Sequence, residues 1–229
     1  MVKMRIAVLT SALNEELVLC ELSRRIPSAY DLFLVDDGST DNTYNVAKQL
    51  GFKVIRHDIN LGQGYAFITG MRTILTNDDL NYDYIVYLDA DGQHDPSEIP
   101  AFIQKAEEEG LDVVVGSRIL GSNHSTAPFF RRKFLPFFTW IVNGLSGYEL
   151  TDAMCGFRAF RVATFKSILP VFDRMLEPRY LATEAFLRFA KAGIKVGEVP
   201  VNLRDRLHGK SRKGFFRYGY GILKSIVTT

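Results

Sequence analysis

The chain has 229 residues, 47% hydrophobic and 24% charged, which excludes a disordered polymer and is long enough to bury a substantial core. Its formal charge of +2 conceals two unlike halves: residues 1–117 carry nine Lys and Arg against 19 Asp and Glu, whereas residues 118–229 carry 19 against seven. A nearly neutral chain with an acidic front half would repel a polynucleotide, so no nucleic acid is expected as a partner, and the asymmetry suggests two jobs within one domain, 1–229.

Cys20 and Cys155 fit neither a disulfide framework nor a zinc spacing, so a reducing compartment is expected. No signal peptide is expected, because Met1 to Arg5 leads into only about five apolar residues. The most apolar stretch, Phe134 to Leu145, is interrupted by Pro136 and Asn143 and falls short of the about 20 residues that a spanning helix needs.

"RIAVLTSALNEELVLCELSRRI" begins as a β-rich run and turns helical after Asn14, with Leu17, Leu19 and Leu22 as the expected buried positions. "DLFLVDDGSTDNTYNVAKQLG" repeats the plan: a strand to Val35, then Thr40 or Asp41 as helix N-cap and Gly51 as stop. "KVIRH" is a third strand, and "NLGQGYAFITGMRTIL" turns on Gly62 and Gly64 into a third helix. "DYIVYLDADGQHDPSEIPAFIQKAEEEG" supplies strand four and helix four, with Ser97 as the expected cap and Asp95 as a turn and helix-start residue, and "LDVVVGSR" is strand five. Five strands alternating with helices predict an α/β fold with a mostly parallel, doubly wound sheet.

Ligands of such sheets bind at the carboxyl ends of the strands, where this sequence gathers Asp36 and Asp37, Asp89 and Asp91, and Arg118. Like charges at one rim cost stability unless a cation offsets them. Asp89-Ala90-Asp91-Gly92-Gln93 reads either as a loop whose Asx side chains cap a turn or as an all-oxygen site for Mg²⁺ or Mn²⁺. Mg²⁺ completes its shell with phosphate oxygens, which makes a diphosphate the natural partner. His94, beside these residues, is expected to be a supporting or structural group.

Five stretches, "VDDGSTDNT" (35–43), "NLGQGYAFITGM" (60–71), "DADGQHDP" (89–96), "GSR" (116–118) and "DAMCGFRAF" (152–160), occur in the order seen in family 2 glycosyltransferases. The chain most resembles the polyprenol-phosphate sugar transferases of that family, such as dolichol-phosphate mannosyltransferase. The resemblance runs from about Ile6 to Lys213. It implies a GT-A fold and a metal-dependent, inverting transfer of a hexose, mannose or glucose, from a GDP- or UDP-sugar. By the same resemblance Asp89, Asp91 and Gln93 match the metal triplet, and Asp36 or Asp37 the acid that holds the nucleotide. Glu15 matches the glutamate of the first-strand motif, and Gly62, Gln63 and Ala90 join the nucleotide-sugar set. Ser11 and Leu13, also in that set, stand where the family usually has proline and tyrosine.

The basic half begins with "FFRRKFLPFFTWIVNGLSGYEL", three cations between aromatic runs. A segment lying in a membrane interface suits both, and the alternative is a helix packed on the domain with a solvated basic end. "NLRDRLHGKSRKGFFRYGYGILKSIV" repeats the composition near the C-terminus, with His208 among its cations. Interleaved Arg and aromatic residues can hold RNA, but a single phosphate monoester fits this chain better, and the resemblance identifies it as a dolichyl or polyprenyl phosphate. Arg118, Arg131 and Arg206 match the family's phosphate-contacting arginines, with Arg132, Lys210 and Arg212 beside them. A phosphate monoester with a second pKa of about 6 needs positioning and charge neutralisation more than deprotonation. Asp152 is either the candidate base or acceptor-site carboxylate, or a turn residue and partner of Arg158; with Asp91, Arg118 and Arg206 it completes the expected catalytic set. Glu184 could reach the site or pair with Arg188.

These features predict a peripheral enzyme on the cytoplasmic face of a membrane, with a small anchor subunit as a candidate partner. Two alternatives are a family 2 transferase acting on a saccharide or protein hydroxyl, with Asp152 as base, and a non-catalytic nucleotide-sugar-binding subunit.

Overall fold

The structure, a computed structural model, describes residues 4–121, 129–169 and 181–206, with the backbone alone for 129–135 and 181–183. Strand β1 (Ile6–Ala12) is buried along nearly its whole length, as a strand covered by helices on both faces must be. The same holds for β4 (Tyr84–Tyr87) and β5 (Val113–Ser117), whereas β2 (Asp31–Asp36) emerges at its start and β3 (Lys53–Arg56) is an exposed edge. Helices α1 (Glu16–Arg25), α2 (Thr43–Gln49), α3 (Gln63–Leu75) and α4 (Ile99–Glu109) connect them as expected.

Three local expectations need correction. In α1 the buried stripe is Val18, Leu19 and Leu22, while Leu17 is 67% exposed, because the helix begins at Glu16 and its core face falls one residue later. The residue at the N-cap of α2 is Asn42, although the Asp41 side chain does accept the Thr43 amide at 3.0 Å. At the start of helix four it is the Asp95 carboxylate, not Ser97, that caps, accepting the Ser97 amide at 3.1 Å ahead of a short 3₁₀ turn, Pro96–Glu98.

The second half departs further from the simple alternation. Beyond β5 come α5 (Phe129–Ser146), β6 (Arg158–Arg161), α6 (Val162–Ser167), α7 (Leu181–Lys191) and β7 (Val196–Pro200). The seven strands are ordered β3-β2-β1-β4-β6-β5-β7, with β6 antiparallel to both its neighbours and the other pairings parallel. Strand β6 enters between β4 and β5 on aromatic packing: Phe160 meets Phe165 at 5.0 Å between ring centroids, and Phe165 meets Phe189 of α7 at 5.5 Å. This insertion delivers the loop before β6 to the carboxyl end of β4. The chain runs outward from β1 to β3 and returns to the other side of β1 as β4, so the crevice between β1 and β4 is the topological switch point, where a ligand of such a sheet sits.

No helix among the described residues is long and apolar enough to cross a membrane. Helix α5 continues through Pro136, and its described part buries Phe138 and Val142 while exposing Phe137, Trp140 and Leu145.

Candidate active site

The β2 end supplies two buried carboxylates with different occupations. Asp37 is filled by protein groups: its Oδ1 accepts the Leu61 amide at 3.0 Å and meets His57 Nδ1 at 2.8 Å, and its Oδ2 accepts the Gly62 amide at 2.8 Å. Gly62 has φ +101°, a conformation that lets the loop wrap around this carboxylate before α3 begins. Asp36 accepts the Ser39 amide at 3.0 Å through Oδ1, while Oδ2 lies 3.3 Å from Arg56 Nε without a hydrogen bond. Of the two acids expected to hold a nucleotide, Asp37 is thus a tie between β2 and the α3 loop, and Asp36 is the one that keeps an oxygen without a hydrogen bond. Glu15 and half-buried Leu13 occupy the loop after β1, with the Glu15 amide donating to Thr43 Oγ1 at 2.9 Å.

At the end of β4 the loop places Asp89 and Asp91 together. The Asp91 carboxyl pKa is raised, first by burial and then by the charge of Asp89, while the Gln93 amide at 3.1 Å from Oδ1 works the other way. Asp89 Oδ1 takes the Gln63 amide, Oδ2 lies 3.7 Å from His94 Nε2, and a Cβ on Gly156 would come within 2.8 Å of Oδ2. His94 is buried against the Phe157 ring at 5.1 Å, a supporting position. Tyr87 stands below, its phenol pKa raised by burial and then by Asp89.

The segment 201–206 after β7 runs along this loop and fastens to it at alternate residues. Asn202 donates its amide to Glu98 Oε1 at 3.0 Å, Arg204 donates its amide to the Gln93 carbonyl at 2.9 Å and pairs with Asp95, and Arg206 lies 3.4 Å from both Asp91 Oδ2 and Glu15 Oε1. The basic half therefore meets the acidic half here. An arginine at this point is the protein's own counter-charge to a strained carboxylate pair, and the same oxygens suit a hard divalent cation. Among the described residues no three His, Cys, Asp or Glu side chains converge as a closed metal cage. Two carboxylates and the Gln93 amide fit instead an open site that a diphosphate would complete. Gln93 itself turns its amide nitrogen to the Arg204 carbonyl at 3.4 Å.

Arg118, just past β5, is clamped by Asp152. The carboxylate, 0% exposed, takes Arg118 Nε at 2.5 Å and Nη2 at 2.8 Å in a bidentate pair, and also accepts the Arg118 and Met154 amides at 3.2 Å. Sequence reading offered Arg158 as the partner of Asp152. Arg158 instead donates to the Ala153 and Cys155 carbonyls at 2.9 Å, fixing the turn whose Gly156 abuts Asp89. Glu198 of β7, which no sequence signal singled out, supports the clamp from behind: its carboxylate accepts the Thr151 amide at 2.7 Å and the Asp152 amide at 2.8 Å. Glu184 is buried and paired with Arg188 at 2.7 Å, the helical i, i+4 reading. Burial pushes the Cys155 thiol up to about 12, so it is no nucleophile. The side chains of Arg131 and Arg132 on α5, and residues Lys210, Arg212 and His208, lie outside the described residues.

Residues 7–169 match the model of the family described as glycosyl transferase family 2. Among similar proteins, the UDP-N-acetylglucosamine–dolichyl-phosphate N-acetylglucosaminyltransferase of Methanococcus voltae is 34% identical over 86% of this chain and 84% of its own. An undecaprenyl-phosphate 4-deoxy-4-formamido-L-arabinose transferase of Edwardsiella ictaluri is 29% identical over 98% of this chain and 68% of its own. Glucosyl-3-phosphoglycerate synthase of Mycobacterium tuberculosis, solved with Mn²⁺, UDP and phosphoglyceric acid, superposes with a TM-score of 0.73 at 18% identity, over 98% of this chain and 78% of that one. This last likeness is one of fold, the GT-A arrangement.

Proposed function

The chain belongs to glycosyl transferase family 2, and from that premise we propose that it transfers a hexose from a nucleoside-diphosphate sugar to a polyprenyl or dolichyl phosphate at a membrane surface. The observation that carries this reading is the meeting of opposite charges at the switch point, where Arg206 of the basic half touches Asp91 beside Asp89, while a second arginine, Arg118, is clamped by Asp152 past the end of β5. The acids suit a diphosphate that arrives with a cation, and the arginines suit a second, phosphate-bearing substrate. Donors named for relatives add UDP-N-acetylglucosamine to the GDP-mannose and UDP-glucose expected from the sequence.

Asp89, Asp91 and Gln93 would hold Mg²⁺ or Mn²⁺, which when bound supplies charge neutralisation for the departing nucleoside diphosphate. Arg118 and Arg206 orient the acceptor phosphate, and its oxygen attacks the anomeric carbon as the bond to the diphosphate breaks, inverting that centre. No side chain has to remove a proton, because the acceptor is already largely dianionic at neutral pH. This suits Asp152, whose two oxygens are engaged by Arg118 and backbone amides and are poorly placed to act as a base for a hydroxyl acceptor.

The test uses radiolabelled nucleotide sugars and undecaprenyl phosphate in detergent, followed by organic extraction. Label is expected in the organic phase with one donor, lost with EDTA and restored by Mg²⁺ or Mn²⁺. A panel in which no donor labels the lipid overturns the reading.

The membrane-facing element is α5, whose exposed Phe137 and Trp140 rings stack at 6.3 Å with Leu145 further along the same helix. Replacing all three by Glu is expected to lower binding to anionic lipid vesicles about tenfold or more, measured by co-sedimentation, since each buried large apolar side chain contributes about 1.5–3 kcal/mol. We assign the association to the cytoplasmic face, with a small anchor subunit as helper.

A further inference from the structure

Below Asp89 lies a line of polar groups drawn from three separate places in the chain. Tyr87, the last residue of β4 and 5% exposed, has its hydroxyl 2.7 Å from Ser11 Oγ on β1 and 3.2 Å from Gln63 Nε2 in the first turn of α3. The same Gln63 nitrogen lies 2.5 Å from Asp89 Oδ1. The donor directions follow from the chemistry of each group. A carboxylate accepts, so Gln63 turns its NH₂ to Asp89; the second hydrogen of that group is directed at the Tyr87 oxygen, and the proton of Tyr87 is left for Ser11.

Packing does not account for the hydroxyl. The Tyr87 ring is already held edge-on against Phe67 at 5.0 Å between centroids, a contact that phenylalanine would keep. What the hydroxyl adds is an anchor for the Gln63 amide. Gln63 in turn holds Asp89 by Oδ1, while Oδ2 lies 3.7 Å from His94 Nε2 and Gly156 packs against the carboxylate so closely that a Cβ there would come within 2.8 Å. Ser11, standing where the family resemblance leads one to expect proline, is the terminus of the line, and proline has no hydroxyl to offer.

We propose that Ser11 and Tyr87 are positioning residues for the cation site, acting through Gln63 to fix the orientation in which the Asp89 carboxylate meets a divalent metal. This rests on the cation reading of Asp89 and Asp91 above. Groups that orient a metal ligand typically change metal affinity about 10–100-fold when removed.

Mn²⁺ binding, followed by the loss of its free-ion paramagnetic resonance signal with and without UDP or GDP, tests the assignment on the full chain. Tyr87→Phe is expected to weaken Mn²⁺ about tenfold, and Gln63→Ala at least as much. The double variant should be no weaker than Gln63→Ala alone, because Tyr87 works through that amide. In transfer assays excess Mn²⁺ should bring Tyr87→Phe back toward the wild-type kcat, which a general loss of folding would not allow. Unchanged Mn²⁺ binding by Tyr87→Phe, or losses that add in the double variant, would overturn the network while leaving the cation site standing. A wild-type chain that binds no Mn²⁺ with either nucleotide overturns both.

Discussion

Asp91→Asn is expected to lose sugar transfer by about a thousandfold or more, yet to unfold at a temperature no lower than the wild type in the absence of a divalent cation. The first half follows from removing a carboxylate of the proposed cation site, where a bound cation would supply charge stabilisation worth several kcal/mol, each 1.36 kcal/mol being about tenfold in rate. The second half follows from the raised carboxyl pKa of Asp91, caused first by burial and then by the charge of Asp89. A carboxyl that binds its proton more tightly folded than unfolded contributes stability that is present below its ordinary pKa and lost as pH rises through the raised value. Above the raised pKa the ionised Asp91 is therefore a standing cost, offset in part by Arg206, and the neutral amide removes it. Thermal unfolding at pH 7 with and without Mg²⁺ plus a nucleoside diphosphate checks this: the wild type gains stability with the ligands, and the variant does not. A variant that is markedly less stable than wild type without metal would show that Asp91 is a structural residue.

Asp152→Asn separates the two kinds of acceptor. The wild-type carboxylate holds Arg118 by two bonds, at 2.5 and 2.8 Å, and an amide can keep only one of them while turning an NH₂ toward the guanidinium. Removing one partner of a buried pair costs about 3–5 kcal/mol, and the 24% exposure of the Arg118 side chain places the loss toward or below the lower end. If Arg118 grips the acceptor phosphate, the loosened guanidinium should raise the KM for undecaprenyl phosphate about 10–100-fold, as expected for a weakened charge-assisted contact of about 1.5–3 kcal/mol. Under that reading kcat stays within about tenfold, because no proton passes through Asp152. A collapse of kcat with KM unchanged, together with loss of the acidic limb of the pH profile, would instead make Asp152 a general base and point to a hydroxyl acceptor.

What could be read from the sequence was what is local. The βα units up to β5 announce themselves by apolar runs ending in Asp or Gly, and the resemblance across five short motifs identified the family and its fold. Strands β6 and β7 escaped notice because "RAFR" and "VGEVP" are short, charged or Pro-ended, and owe their existence to pairing with β4 and β5 far away in the chain. The ambiguity at Asp152 was of the same kind. Both Arg118 and Arg158 were in view, and only the fold shows that one grips the carboxylate while the other is turned to the carbonyls of Ala153 and Cys155. Ser97 and Asp95 both make reasonable caps on paper, and backbone direction decides between them. Glu198 and the line from Ser11 to Asp89 join residues far apart in sequence, for which a linear pattern has no signature.

If the proposed reading holds, the 201–206 strap would set the terms on which two substrates meet. Arg206 lies 3.4 Å from Asp91 Oδ2, and on the proposed reading a cation held by Asp91 would compete with it for that carboxylate, each loosening the other. An anion that draws Arg206 away from Asp91 would favour the cation by the factor by which the cation frees Arg206 for the anion. The metal that accompanies the donor and the acceptor phosphate would then assist each other's binding through a single guanidinium that changes partners. Order of addition in such a system is a matter of relative concentration, and cooperativity between metal and lipid phosphate is its measurable sign.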